Sequence, residues 1–246
     1  MSLHVKSASL DDDAVARVLD ADWGGIAREL DQGGYAVIRG AFDPAACAPT
    51  RALYAQEHLF RSRVVMARHG FGQGEYQYFA YPLPVAIERL RQALYERLAP
   101  IANGWFDALG SDARYPAGFA SFLDRCHENG QSRPTPLLLK YGPGDHNRLH
   151  QDLYGGIQFP LQAAVLLSAP GTDFDGGEFV LTETAPRRQS RAEVVPLKQG
   201  DMVIFAVNQR PVRSAKGFAR VVMRHGVSAV RRGERYTLGI ILHDAT

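Results

Sequence analysis

The stretch P-T-P-L-L-L-K-Y-G-P-G-D-H-N-R-L-H-Q-D-L-Y-G-G, residues 134 to 156, decides the fold. Its apolar run, Leu137-Leu138-Leu139, is bounded by prolines and closed by Gly142-Pro143-Gly144-Asp145, the pattern of a strand leaving through a turn. From here to the C-terminus, short β-rich runs alternate with Gly, Pro, Asp and Asn. The main strands are expected at 136–141, 162–168, 178–182, 202–206, 221–228 and 236–242. Strands so spaced argue for a sandwich or barrel rather than β-α-β units. Upstream of Arg133-Pro134 the reading is mostly helical. Residues 11–19 and 23–31 have helical spacing, with Gly33-Gly34 as a stop before a short strand at 35–39. Asp43-Pro44 starts a helix running to about Leu59, with Asp as cap and Pro in the first turn. A further helix from near Pro84 puts Ile87, Leu90, Leu94 and Leu98 on one face, a stripe for packing on a sheet. The expected architecture is one domain over 1–246, mainly β with flanking helices (α+β). A double-stranded β-helix, or jelly roll, over 134–246 is buttressed by 1–133, with no internal repeat, low-complexity tract or linker.

Within this frame, His150-Gln151-Asp152, His225 and Arg235 stand out. Side chains alternate along a strand, so His150 and Asp152 are expected on one face and Gln151 on the other. Two imidazoles and one carboxylate on one side of a metal leave the opposite positions open, the arrangement suited to Fe(II) and O2. Arg235 and Thr237 likewise share a strand face. A guanidinium binds a carboxylate through two parallel hydrogen bonds, which suits the far end of 2-oxoglutarate.

These parts, in this order, resemble the 2-oxoglutarate/Fe(II)-dependent oxygenases. The likeness narrows at 144–155, Gly176-Gly177-Glu178-Phe179, Gln189-Ser190-Arg191 and Arg224-His225-Gly226-Val227-Ser228. There the chain resembles a bacterial, little-characterised oxygenase family for which a nucleic-acid-modifying or alkylation-repair role has been proposed. The resemblance covers about Ala36 to Ala245, with a more distant likeness to prolyl hydroxylases. Prolyl hydroxylases commonly hold the co-substrate with Lys, where this chain offers Arg235. The resemblance implies iron on His150, Asp152 and His225, and 2-oxoglutarate on Arg235 and Thr237. Tyr141 is either a further contact to 2-oxoglutarate or a half-buried aromatic. O2 and 2-oxoglutarate would be co-substrates, and the outcome hydroxylation or oxidative demethylation. A nucleobase or nucleic acid is the favoured substrate; the alternatives are a protein side chain, a small metabolite, or a non-catalytic metal- or ligand-binding barrel acting as a sensor.

Charge bears on that choice. The net charge of the 246 residues is only +2, yet 187–246 holds ten Arg and two Lys against two Asp and two Glu, a local excess of +8. Such a basic half is either a footprint for a polyanion or a solvated surface in an Arg-rich chain. Arg187 and Arg191 are candidate phosphate contacts or parts of a solvated connection. Residues 69–79 combine glycines with aromatics, so Tyr76 and Tyr78 are candidates for stacking on a substrate under a mobile lid, or for a hairpin packed in the core. His146 is expected on a loop in a solvated or substrate-facing role. Residues 173–178 lack the spacing of a calcium loop and read as a turn, as does Gly200-Asp201, while His243-Asp244 is not expected to be a ligand set. Cys47 and Cys126 are too few for a disulfide framework and are expected to be buried. The acidic start, residues 1–13, does not look like a secretory leader, and no stretch has the roughly 20 apolar residues of a spanning helix. The expected setting is the cytoplasm, with no membrane partner.

Overall fold

The structure, a computed structural model, describes residues 12–215 and 217–246; the reading of the acidic start falls largely on 1–11, outside the described residues. Helices α1 (Asp12–Leu19) and α2 (Trp23–Gly33) lead into strand β1 (Tyr35–Ile38). Gly34 ends α2 as expected, its N–H donating to the Leu30 carbonyl at 2.9 Å. Asp43 caps α3 (Pro44–Ala52) by accepting from the Ala45 N–H at 2.8 Å. This helix is shorter than its spacing suggests, because 53–59 tighten into two 3-10 turns. Strands β2 (Phe60–Val65), β3 (Gly72–Gln73) and β4 (Glu75–Phe79) follow, then α4 (Val85–Ala108) and α5 (Phe119–Glu128). The second half contributes β5 (Leu137–Tyr141), β6 (His146–His150), β7 (Leu161–Leu166), β8 (Phe174–Gly176), β9 (Phe179–Thr184) and β10 (Arg191–Val195). It continues with β11 (Met202–Ala206), β12 (Gln209–Ser214), β13 (Gly217–Val227), β14 (Val230–Gly233) and β15 (Arg235–Ile240).

Two antiparallel sheets form the jelly roll. The larger runs β1-β11-β7-β15-β5-β4-β2; the smaller runs β10-β9-β13-β6-β3, with β12 also paired to β13. Three strands of the larger sheet therefore come from the first half of the chain, which is less helical than its apolar spacing suggests. Alternation assigns the faces of this sheet. Leu138, Val165, Ile204 and Leu238 pack with Ile87, Leu90, Leu94 and Leu98 of α4 in the main core. Ala164, Val203 and Phe205 turn the other way, onto Phe179 and Leu181 of the smaller sheet. The Phe179 and Phe205 rings meet at 5.0 Å, an aromatic contact between the two sheets. The glycine-aromatic segment is built into this frame. Strand β4 is paired on both sides, with β2 and β5, so 75–79 form a hairpin partner and not a mobile lid. Among the described residues, no helix is long and apolar enough to cross a membrane.

Candidate active site

The mouth of the sandwich holds a cavity of about 190 Å³ lined from both sheets, with Tyr141, Gln162, Phe205, Arg235 and Thr237 on one side and Asn147, His150, Phe179 and His225 on the other. His150 is the last residue of β6 and pairs across to His225 on β13. Their rings lie 4.2 Å apart. Asp152 lies two residues beyond the end of β6, in irregular chain. It faces the same point as His150 without a shared strand pleat to place it; neighbouring side chains do that instead. Tyr154 donates its phenol to Asp152 Oδ1, and Gln162 Nε2 donates to Oδ2, each at 2.8 Å. The two imidazoles complete the set: His150 Nε2 lies 3.4 Å from Oδ1 and His225 Nε2 3.3 Å from Oδ2. One ligand atom from each of the three residues falls within 4.8 Å of the others, and this is the one such acidic or imidazole cluster among the described residues.

The electrostatics follow from burial. Asp152 is 7% exposed; burial alone would raise its pKa, but the hydrogen bonds and charge of both imidazoles hold it well below the carboxylate range. The histidines split. Burial pushes both down, but the Asp152 carboxylate brings His150 to a net rise, whereas burial and the His150 charge leave His225 lowered. Nδ1 of His150 lies 2.7 Å from the Arg148 carbonyl, so a proton there leaves Nε2 with its lone pair directed at the cluster. Two imidazole nitrogens and a carboxylate are the donor set that suits Fe(II).

Arg235 supplies the second half. It is 2% exposed, its Nη1 donates to Thr237 Oγ1 at 2.6 Å, and its Nε has no partner. Burial lowers its pKa to about 10, so it is cationic near neutrality with no carboxylate paired to it among the described residues. A buried guanidinium with free donors facing a cavity fits a ligand carboxylate. Gly177 makes room for it: at φ 61°, a Cβ there would stand 2.8 Å from Arg235 Cδ. Tyr141 is fully buried, not half-buried, with the Arg235 guanidinium 5.6 Å from its ring and Asn147 at 3.4 Å from its hydroxyl.

The other candidates divide. Tyr76 lines the cavity. Tyr78 lies behind it, its hydroxyl 3.0 Å from that of Tyr154 and so one hydrogen bond removed from Asp152. His146 is not on a loop but in β6 opposite Gln73, outside the cavity lining. Arg187 and Arg191 sit at the β9–β10 connection, with β10 at the far edge of the smaller sheet, and neither lines the cavity. Gln151 turns from the cluster to Asn208 and the Met223 carbonyl, each at 2.8 Å. Sequence reasoning missed Gln162 and Tyr154. Gln162 left a signal, as the polar residue in the apolar run Leu161–Leu166, where a buried amide demands a partner.

Comparison with known proteins adds three findings. Residues 74–245 match a family described as oxygenases catalysing oxidative methylation of damaged DNA. Two uncharacterized proteins of Mycobacterium tuberculosis, MT2286 of strain CDC 1551 / Oshkosh and Rv2227 of strain ATCC 25618 / H37Rv, are each 50% identical over 167 residues, 68% of this chain and 72% of theirs. Among solved structures, a prolyl-4-hydroxylase of Pseudomonas putida is similar with a TM-score of 0.52 at 16% identity, over 88% of this chain and 96% of that one. A 2OG-Fe(II) oxygenase family oxidoreductase of Burkholderia pseudomallei gives 0.53 at 18%, over 92% and 94%. Identities this low speak for a shared fold alone.

Proposed function

The chain belongs to this oxygenase family and is a 2-oxoglutarate- and Fe(II)-dependent oxidoreductase, and from that premise we propose that it hydroxylates or oxidatively demethylates a nucleobase, free or within a nucleic acid. The observation that carries the site assignment is the meeting, in one cavity, of the His150-Asp152-His225 cluster with the unpaired guanidinium of Arg235. The first three residues would hold Fe(II). Arg235 and Thr237 would take the far carboxylate of 2-oxoglutarate, with Tyr141 beside them. When bound, the iron and 2-oxoglutarate supply the oxidation: O2 is consumed, 2-oxoglutarate becomes succinate and CO2, and one oxygen atom enters a substrate C–H bond.

The remaining steps belong to side chains. Tyr154 and Gln162 occupy one oxygen each of Asp152 and fix its orientation. Burial and the charge of Asp152 hold the Tyr154 phenol far above its usual pKa, so it stays a donor. Phe179 stacks against His225 and Phe205 packs on it at a tilt, an apolar wall that keeps water from the chemistry. Oxidation of an N-methyl carbon gives a hydroxymethyl amine that releases formaldehyde, while a C-methyl or ring carbon keeps its hydroxyl. The description of the family supports nucleic acid as the substrate class, as does the basic excess of the second half. A reducing cytoplasm suits both an oxidisable iron and the two buried free thiols, Cys47 and Cys126. The test is formaldehyde release from single-stranded DNA carrying N-methylated bases, with wild type and His150→Ala side by side. Release by wild type alone is expected. Release from no methylated strand, with 2-oxoglutarate still consumed in the presence of a prolyl peptide, would move the substrate to protein.

A further inference from the structure

His69 and Phe71 form a stacked pair, their ring centroids 5.3 Å apart and planes 22° from parallel. Phe71 is 48% exposed and is also part of the cavity wall. Its backbone is fixed from two directions. Its N–H donates to the Met66 carbonyl at 3.2 Å, and its carbonyl accepts from the Arg148 N–H at 2.9 Å. Met66 itself is buried beside Tyr141 in a small core cluster. Gly72 presses the loop onto β6, since at φ 143° a Cβ there would fall 2.2 Å from the His146 carbonyl oxygen. The pair is therefore a rigid aromatic face held half in water at the cavity entrance, and such a face suits a planar ring.

Cations adjoin it. Along β6, Asn147 and His150 turn into the cavity while Arg148 and Leu149 are exposed beside it. Arg68, three residues before Phe71, is exposed as well. Neither arginine is ion-paired to a carboxylate among the described residues. An aromatic face adjoined by residues with unpaired guanidiniums is complementary to stacked bases on a phosphate chain.

We propose that this lip is a docking surface for single-stranded nucleic acid, one base stacking on Phe71 and His69 and the adjoining phosphate meeting Arg148. The neighbouring nucleotide is thereby aimed into the cavity. A duplex cannot use the lip, because its bases are already stacked on one another and must be turned out to reach the cluster. This inference rests on the nucleic-acid reading above and gives it an address.

The experiment is anisotropy of a 5′-labelled twelve-residue oligothymidylate titrated with the full-length protein, loaded with Mn(II) and 2-oxoglutarate so that nothing turns over. Wild type should bind with an affinity that falls as salt rises. Phe71→Ala should bind about ten-fold or more weakly, and Phe71→Trp should restore binding. Arg148→Ala should reduce the salt slope by about one. The melting temperature of each variant reports that it is folded. Wild-type binding that Phe71→Ala and Arg148→Ala both leave unchanged would overturn the lip while keeping the nucleic-acid reading. Failure of wild type to bind at low salt would overturn both.

Discussion

Arg91 meets Asp244 and Arg210 meets Glu183, whereas the equally buried Arg235 meets no carboxylate among the described residues and hydrogen-bonds the hydroxyl of Thr237. The first two hold the fold: Arg91 also bonds the Ile241 and Leu242 carbonyls, and Arg210 those of Asp31 and Gln32. An unpaired buried cation opposes folding and is kept for a ligand. Arg235→Met should therefore leave the melting temperature of the ligand-free protein unchanged or raised. By calorimetry it should weaken 2-oxoglutarate binding by about a hundred-fold or more. A strongly destabilised variant that still binds 2-oxoglutarate would reverse that assignment. Asp152 presents the opposite case, a group whose partners are all in place. Tyr154→Phe removes one of its two neutral donors and should lower metal affinity about ten-fold, read from an anaerobic Co(II) titration. Unchanged affinity would mean that Gln162 suffices to orient the carboxylate.

At the level of elements, β6 and β13 bring the histidines together through an irregular pairing. The register slips between His225 and Val227, and at Gly226 a Cβ would stand 2.7 Å from the Asn147 carbonyl oxygen. Gly226→Ala should push the strands apart, costing about 1–3 kcal/mol in chemical denaturation and weakening metal binding with it. A variant as stable as wild type and equally able to bind metal would show that the close approach is dispensable. The same irregularity marks what was legible in the sequence. The identity of the cluster and of Arg235 could be read from residue types and their order. The reason His150 and Asp152 converge could not: period-two alternation placed both on one strand, yet β6 ends at His150 and Asp152 is held by side chains from 154 and 162. His146 was misplaced because Gly142-Pro143-Gly144-Asp145 hid a strand that begins immediately after the turn. The short strands β3, β8, β10, β12 and β14 were missed because runs of two to six mixed residues carry little periodicity of their own.

Across the whole molecule, the two halves of the sequence share one pair of sheets, since β1, β2 and β4 extend the sheet that β5, β7, β11 and β15 begin. Residues 243 and 244 are tied into the fold by side-chain hydrogen bonds. Asp244 is buried against Arg91 and Tyr81, and His243 accepts from the Phe159 N–H at 3.2 Å. Burial, then the charge of Arg91, lowers His243 from 6.5 to about 4. The unfolded chain thus takes up a proton at this residue before the folded one does. The stabilisation is complete above pH 6.5 and is lost as the pH falls towards 4, up to about 3 kcal/mol. His243→Asn, which keeps an acceptor for Phe159, should flatten the loss of denaturation midpoint over that window; an identical acid limb would place the sensitivity elsewhere. The central claim is that iron and 2-oxoglutarate react at the cluster in the mouth of the sandwich. Succinate formed when air is admitted to anaerobic protein holding Fe(II) and 2-oxoglutarate measures it most directly. Wild type is predicted to form succinate and Asp152→Ala to fall to background. Equal turnover by the two proteins, or none by iron-loaded wild type with any substrate, would contradict it.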